Sequence, residues 1–142
     1  MSSYLNIYLE RKPKEGEEKG ERLLLCSISR GSTLYDVFYD NKPGIPSEEN
    51  IYRVTSGDLV NVSNQLEKEI ASEEICLNEN KLNLSLIHDT ESIGELLANI
   101  RSDKEYLEQL KMKNSMAICM INIFDDVDKE WSGFSKIYWK IE

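Results

Sequence analysis

The chain has one histidine, three prolines and three cysteines in 142 residues, and no apolar run longer than the six residues from Met116 to Ile121. Each shortage closes a class. A single histidine, His88, excludes a His-based metal cluster and leaves none to spare for a Ser-His-Asp triad. Cys26, Cys76 and Cys119 are odd in number, far apart and set in apolar stretches, so they are expected as buried thiols in a reducing compartment, with neither a disulfide framework nor a zinc site. Six apolar residues fall far short of the ~20 that a spanning helix needs, so no membrane segment is expected. The start "MSSYLNIYLERK" lacks the basic stretch and long apolar core of a secretory signal, and a cytoplasmic location follows by default.

Positive charge is also scarce. The net charge is -9, and it is unevenly spread: residues 1–55 carry 8 basic and 9 acidic side chains, residues 56–128 carry 6 and 15, and residues 129–142 carry 3 and 2. The middle of the chain holds nearly the whole acidic surplus. Such a surface repels phosphates and offers no basic stripe, so no nucleic-acid partner is expected.

What is present is periodicity. Leu5, Ile7 and Leu9 alternate with Tyr4, Asn6 and Tyr8, a strand with one aliphatic and one aromatic-polar face. The charged stretch 11–21, with two glycines and a proline, reads as a solvated hairpin loop. "RLLLCSIS" is apolar on both faces and reads as a central strand. Ser32 or Thr33 suits the N-cap of a short helix bearing Leu34, Val37 and Phe38, which stops before "NKPGIP". "NIYRVT" is a third strand. "FSKIYWKIE" is a fourth, its Ile137, Trp139 and Ile141 forming an apolar face and Lys136, Tyr138 and Lys140 a solvated one.

Between the last two strands lie helical repeats. Thr55 with Asp58, or Ser56 alone, can cap a first helix, along which Leu59, Leu66, Ile70, Leu77, Leu84 and Ile87 follow a 3-4 repeat broken by Glu73 and Asn80. Ser92 and Glu95 stand in capping-box spacing before a second helix. There Ile93, Ile100, Leu107 and Ile121 share one row, with Asn114 in its gap, and Leu96, Leu110, Ala117 and Phe124 form the companion row. The pattern predicts antiparallel helices over about 56–88 and 92–127. A competing strand signal lies in "KLNLSLIH", where Leu82, Leu84 and Leu86 alternate with Asn83 and Ser85.

The expected fold class is therefore α+β: a small, mainly antiparallel four-stranded sheet with a short helix, and a long antiparallel helical hairpin inserted before the last strand. Residues 1–142 are read as a single domain, with 1–55 and 129–142 forming the sheet part and 56–128 the acidic hairpin. A second apolar stripe, Leu97, Met112, Met116 and Met120, favours a homodimer over a monomer.

In order and spacing, "SSYLNIYLE", "LLLCSISRGSTLYDVF", the long helical pair and "FSKIYWKIE" resemble small accessory proteins encoded by gut bacteriophages and prophages. The resemblance covers both ends of the chain and the layout of its middle. It implies a phage accessory protein, placed in the host cytoplasm, and carries no catalytic residue across.

Four features invite chemistry. Asp125, Asp126 and Asp128 lack the alternating ligands and the glycine of a calcium loop and read as a solvated helix end. His88 suits a helix C-terminus. Cys26 and Arg30 are separated by three residues, too few for a phosphatase loop. The turn Ser29, Arg30, Gly31, Ser32 and Thr33 is the one candidate ligand site: free N–H groups, hydroxyls and one guanidinium at a helix start suit a small anion or nucleotide, with Tyr35, Tyr39 or Tyr52 available for stacking. The alternative is a capped turn in which Gly31 relieves a tight bend. No catalytic residue, metal ligand or cofactor is expected. The function expected first is a non-enzymatic protein–protein interaction through the hairpin, modulating host machinery or countering host defence; a ligand binder and a structural or assembly component follow.

Overall fold

The computed structural model describes residues 3–48, 50–130 and 134–142, so positions 131–133, assigned above to the sheet part, lie outside the described residues. Alternating aliphatic side chains make β1 (Tyr4–Arg11), and the leucine-rich β2 (Arg22–Ser29) follows it across the charged loop. Then come α1 (Thr33–Asn41), β3 (Ile45–Glu48), β4 (Ile51–Val54), α2 (Ser56–Leu86), α3 (Thr90–Glu130) and β5 (Phe134–Ile141). The strands form one sheet in the order β2-β1-β5-β4-β3, with every neighbouring pair antiparallel. The fold is α+β, with the helical hairpin between β4 and β5 as expected.

Two expectations about the sheet are corrected. It has five strands rather than four, because "IPSE" pairs with "IYRV" as β3. Gly44 and Pro46 read as loop formers, yet a sheet edge tolerates proline, since an outward position needs no N–H donor. Asn50, at φ 62, helps turn the chain between β3 and β4. Strand β2 is an edge strand, not a central one. Its two-sided apolar pattern comes from a bulge: Tyr8 pairs with Leu24 and Ile7 with Cys26, which leaves Leu25 as the extra residue. The central position belongs to β5, which pairs with both β1 and β4.

The helices lie against one face of the sheet. Leu5, Ile7 and Leu9 of β1 pack with Ile137 and Trp139 of β5, Phe38 of α1 and Phe124 of α3. Trp139 is enclosed on all sides. Tyr52 stacks on it at 4.5 Å, Phe38 meets it edge-on at 5.3 Å, and its indole N–H donates to the Pro43 carbonyl at 2.7 Å. Burial of each such side chain contributes roughly 1.5–3 kcal/mol.

Away from the sheet, α3 buries two further levels. Leu110 and Ala117 pack with Val37, Val62 and Leu66, and beyond them Ile100 and Leu107 pack with Leu77. The buried row thus moves across the helix surface from Ile100 and Leu107 to Leu110, Ala117 and Phe124. This is the drift expected when a 3.6-residue helix meets a seven-residue repeat. The same drift corrects the exposed stripe: Leu97, Met112 and Met116 face solvent, but Met120 is 4% exposed and belongs to the sheet core. It also leaves Cys76 and Cys119 exposed and only Cys26 half-buried, so the three thiols are not all core residues.

The capping box between Thr55 and Asp58 starts α2, as one of the two readings had it. Helix α2 continues through "KLNLSL" to Leu86, so the strand reading of that stretch fails. Asp89, rather than the Ser92–Glu95 pair, receives the first free N–H groups of α3, from Glu91 and Ser92. Its carboxyl is held below the usual carboxylate range, chiefly by the Ser92 hydroxyl. His88 is exposed one residue beyond the C-cap Ile87.

Polar residues interrupt the hairpin seam. Asn80 donates to Asp103 at 2.7 Å, and Ser63 donates to Asn114 at 2.6 Å. Between Ile70 and Leu77, Glu73 holds one carboxylate oxygen buried without a hydrogen-bond partner among the described residues. A buried oxygen left unbonded costs about 1–3 kcal/mol. Replacing it by an apolar side chain completes the seam. Glu73→Leu is therefore expected to stabilise the chain by about 1 kcal/mol, a rise of roughly 3–4 °C in Tm. Calorimetry showing a fall in Tm would contradict this account of the seam.

Candidate functional site

The turn after β2 is built from its backbone outward. Ser29 ends the strand, the Arg30 N–H donates to the Ser3 carbonyl at 3.0 Å, and Gly31 takes φ +97, a conformation that side chains with a Cβ disfavour. Ser32 is the N-cap of α1: its hydroxyl accepts from the Tyr35 N–H at 3.3 Å and donates to the Ser29 carbonyl at 3.0 Å. The Thr33 hydroxyl points to α3, 3.2 Å from the Met112 sulfur.

These partners divide the five candidate residues. Arg30 and Gly31 line an open depression with Ser3, Tyr35, Tyr39 and Ile141, and the carboxylates of Asp36 and Asp40 share it. Ser29, Ser32 and Thr33 do not line it. Tyr35 and Tyr39 stack on each other at 6.0 Å along its wall. On the far side of Tyr39 and Ile141 a second hollow begins, lined by Lys42, Asn50, Tyr52 and Trp139. The structure thus brings Arg30 beside Tyr35 and Tyr39, with Tyr52 in the neighbouring hollow. Asp36 and Asp40 were not singled out from the sequence, although their spacing of four places both on one helix face. Asp40 is paired with Lys113 of α3 at 3.4 Å, so Asp36 and Asp40 together with Arg30 and Lys113 bring both signs of charge to the depression. The depression therefore suits a ligand with both charges better than a bare anion.

The uncovered face of the sheet is a second polar surface. Arg22 lies over the Tyr138 ring at 4.5 Å, and the Tyr138 hydroxyl donates to Glu10 at 3.3 Å. Tyr138 is only 6% exposed, so the face read as solvated is partly closed. Its hydroxyl is pushed up first by burial and then by the Glu10 charge. The Tyr8 hydroxyl donates to Glu142 at 2.5 Å, a bond that raises the pKa of Tyr8 and lowers that of Glu142. Neighbouring residues in the sequence give no sign of this cover, because Arg22 reaches Tyr138 from β2 across β1.

Among the described residues, no group of three or more His, Cys, Asp or Glu side chains is placed to hold a metal ion, and no helix is long and apolar enough to cross a membrane. In comparisons with known protein families, curated proteins and solved structures, nothing matches this chain.

The turn makes two distinguishable contributions to stability. Ser32→Ala removes the cap and is expected to cost about 1 kcal/mol. Arg30→Ala removes an exposed side chain and is expected to change stability by less than about 0.5 kcal/mol. Urea unfolding of the two variants measures both. Equal losses would mean that the guanidinium holds the turn together.

Proposed function

We propose that the chain is a non-enzymatic binding module whose helical hairpin contacts a protein partner. The observation that carries this reading is an apolar row on the outer side of α2. Ile75, Leu82 and Leu86 are 61%, 63% and 68% exposed. Ile75 and Leu82 each lie two residues from a seam leucine, Leu77 and Leu84, which places them roughly 200° around the helix from the seam. They stand where the hairpin packs only on itself, and their neighbours one turn away are mainly small or polar: Ser72, Asn78, Glu79, Asn83 and Ser85. An apolar strip with a polar rim on a projecting helix suits an apolar groove or the apolar face of a partner helix.

On this reading the partner belongs to host machinery or a host defence, as the resemblance to phage accessory proteins suggests, and is met in the host cytoplasm. Triple substitution of Ile75, Leu82 and Leu86 by glutamate leaves the seam untouched. It is expected to keep the helix content and abolish co-purification of a stoichiometric polypeptide in native mass spectrometry. A partner that survives the triple change contradicts the reading.

The neighbourhood of Arg30, Tyr35 and Tyr39 supports a second reading, a small-ligand binder. A nucleotide-sized adduct lost in Arg30→Ala would favour it over the first. A purely structural or assembly role has no comparable observation behind it.

A further inference from the structure

We propose that the free edge of β2 pairs with the same strand of a second copy, antiparallel about a two-fold axis, so that two five-stranded sheets become one. Strands β2 and β3 are the two edges of the sheet. They are protected very differently. Strand β3 is four residues long and contains Pro46, and both features blunt an edge. Strand β2 is eight residues long, with no proline and a single charge, Arg22, whose guanidinium lies over Tyr138 on the sheet face. Its Leu23 and Leu24 are 43% and 56% exposed. A long, nearly uncharged edge is a template for another strand.

The backbone pattern selects the occupant. The Arg11 N–H donates to the Glu21 carbonyl at one end of β2, and the Arg30 N–H donates to the Ser3 carbonyl at the other. Successive residues of a strand turn their backbone groups to alternate sides. Counting inward from Glu21, Leu23 therefore faces β1, while Arg22 and Leu24 face outward. Counting back from Arg30, Ile28 and Cys26 face β1, while Ser27 and Ser29 face outward. The extra residue Leu25 changes the parity between the two ends. The outward set Arg22, Leu24, Ser27 and Ser29 is consequently symmetric about the midpoint of Leu25 and Cys26.

Two copies placed antiparallel on that midpoint set Arg22 opposite Ser29 of the second copy, and Leu24 opposite its Ser27. Outward-facing backbone groups then meet one another along the whole strand. The side chains agree with this register. Leu24 pairs with Tyr8 and Ser27 with Asn6, both on the uncovered face, whereas Leu23 and Ile28 pair with Leu9 and Leu5 on the core face. No like charges are set opposite each other. A shift of one residue destroys the match in both backbone and faces, so the edge is complementary to itself in this one register.

Sedimentation equilibrium, combined with amide hydrogen exchange at high and low protein concentration, tests the pairing. The expected result is a concentration-dependent species of twice the 16.4 kDa protomer mass. The N–H groups of Arg22, Leu24, Ser27 and Ser29 should exchange more slowly as it forms. Leu24→Lys with Ser27→Lys opposes like charges at two cross-strand pairs and is expected to weaken association roughly tenfold or more. Leu24→Glu with Ser27→Lys sets opposite charges at the same pairs and is expected to keep the dimer. Circular dichroism of both variants reports whether the fold is intact. A chain that stays monomeric at every concentration overturns the proposal. So does a dimer whose four edge amides exchange as in the monomer, or a double-lysine variant that folds and associates as well as the parent.

Discussion

The enclosure of Trp139 holds the two halves of the sheet and the root of the hairpin together. The residue sits on β5, the strand that pairs with β1 on one side and β4 on the other. Its ring is covered by Tyr52 from β4 and Phe38 from α1, and its N–H is taken by the Pro43 carbonyl, just beyond α1. Three segments between Phe38 and Tyr52, all remote in sequence from β5, are thereby fixed against one side chain. An aromatic of this size contributes a large buried area, and its polar N–H requires a partner inside the core, so both position and orientation are specified. Because α2 and α3 leave the sheet at β4 and return at β5, the same contact anchors both ends of the hairpin.

The arrangement separates two kinds of stability. Near the sheet, α3 contributes Met120, Phe124 and Val127 to a core shared with four strands and α1. Toward the tip, the hairpin has only Leu77, Ile100 and Leu107, with Ile70, Leu84 and Leu96 at their margins. Asn80, Asp103 and Glu73 interrupt even that seam. Polar positions in a two-helix seam set register at a cost in stability. Acidic side chains around the hairpin add mutual repulsion that salt would screen. The tip is therefore the least stable part of the helical pair, and it is also the part that displays Ile75, Leu82 and Leu86.

Elements with strong local periodicity were legible in the sequence: β1 from Leu5, Ile7 and Leu9, β5 from Ile137, Trp139 and Ile141, and the hairpin from its heptad rows. Strand order was not, because the neighbour of β1 is supplied by a segment more than 120 residues away, as the pairing of Ile7 with Trp139 shows. The bulge at Leu25 made an edge strand look two-sided, and Gly44 and Pro46 hid a short edge strand behind loop residues. At the candidate site, the role of Ser32 as a cap could be read from its position before Leu34, Val37 and Phe38. Asp36 and Asp40 follow Arg30 closely enough to have been read with it, whereas the guanidinium covering Tyr138 depends on how distant segments are brought together, which no local pattern encodes.

Native-state hydrogen exchange in mild denaturant tests the central claim, that one shared core around Trp139 governs the sheet and the root of α3 while the hairpin tip stands on its own seam. The account predicts that amides of β1, β4, β5 and residues 117–127 of α3 open together, at the free energy of global unfolding. Amides of residues 75–86 and 93–106 should open earlier, as a separate unit with a smaller free energy. If the tip amides open only with the sheet, in one transition of equal free energy and denaturant dependence, the account is contradicted.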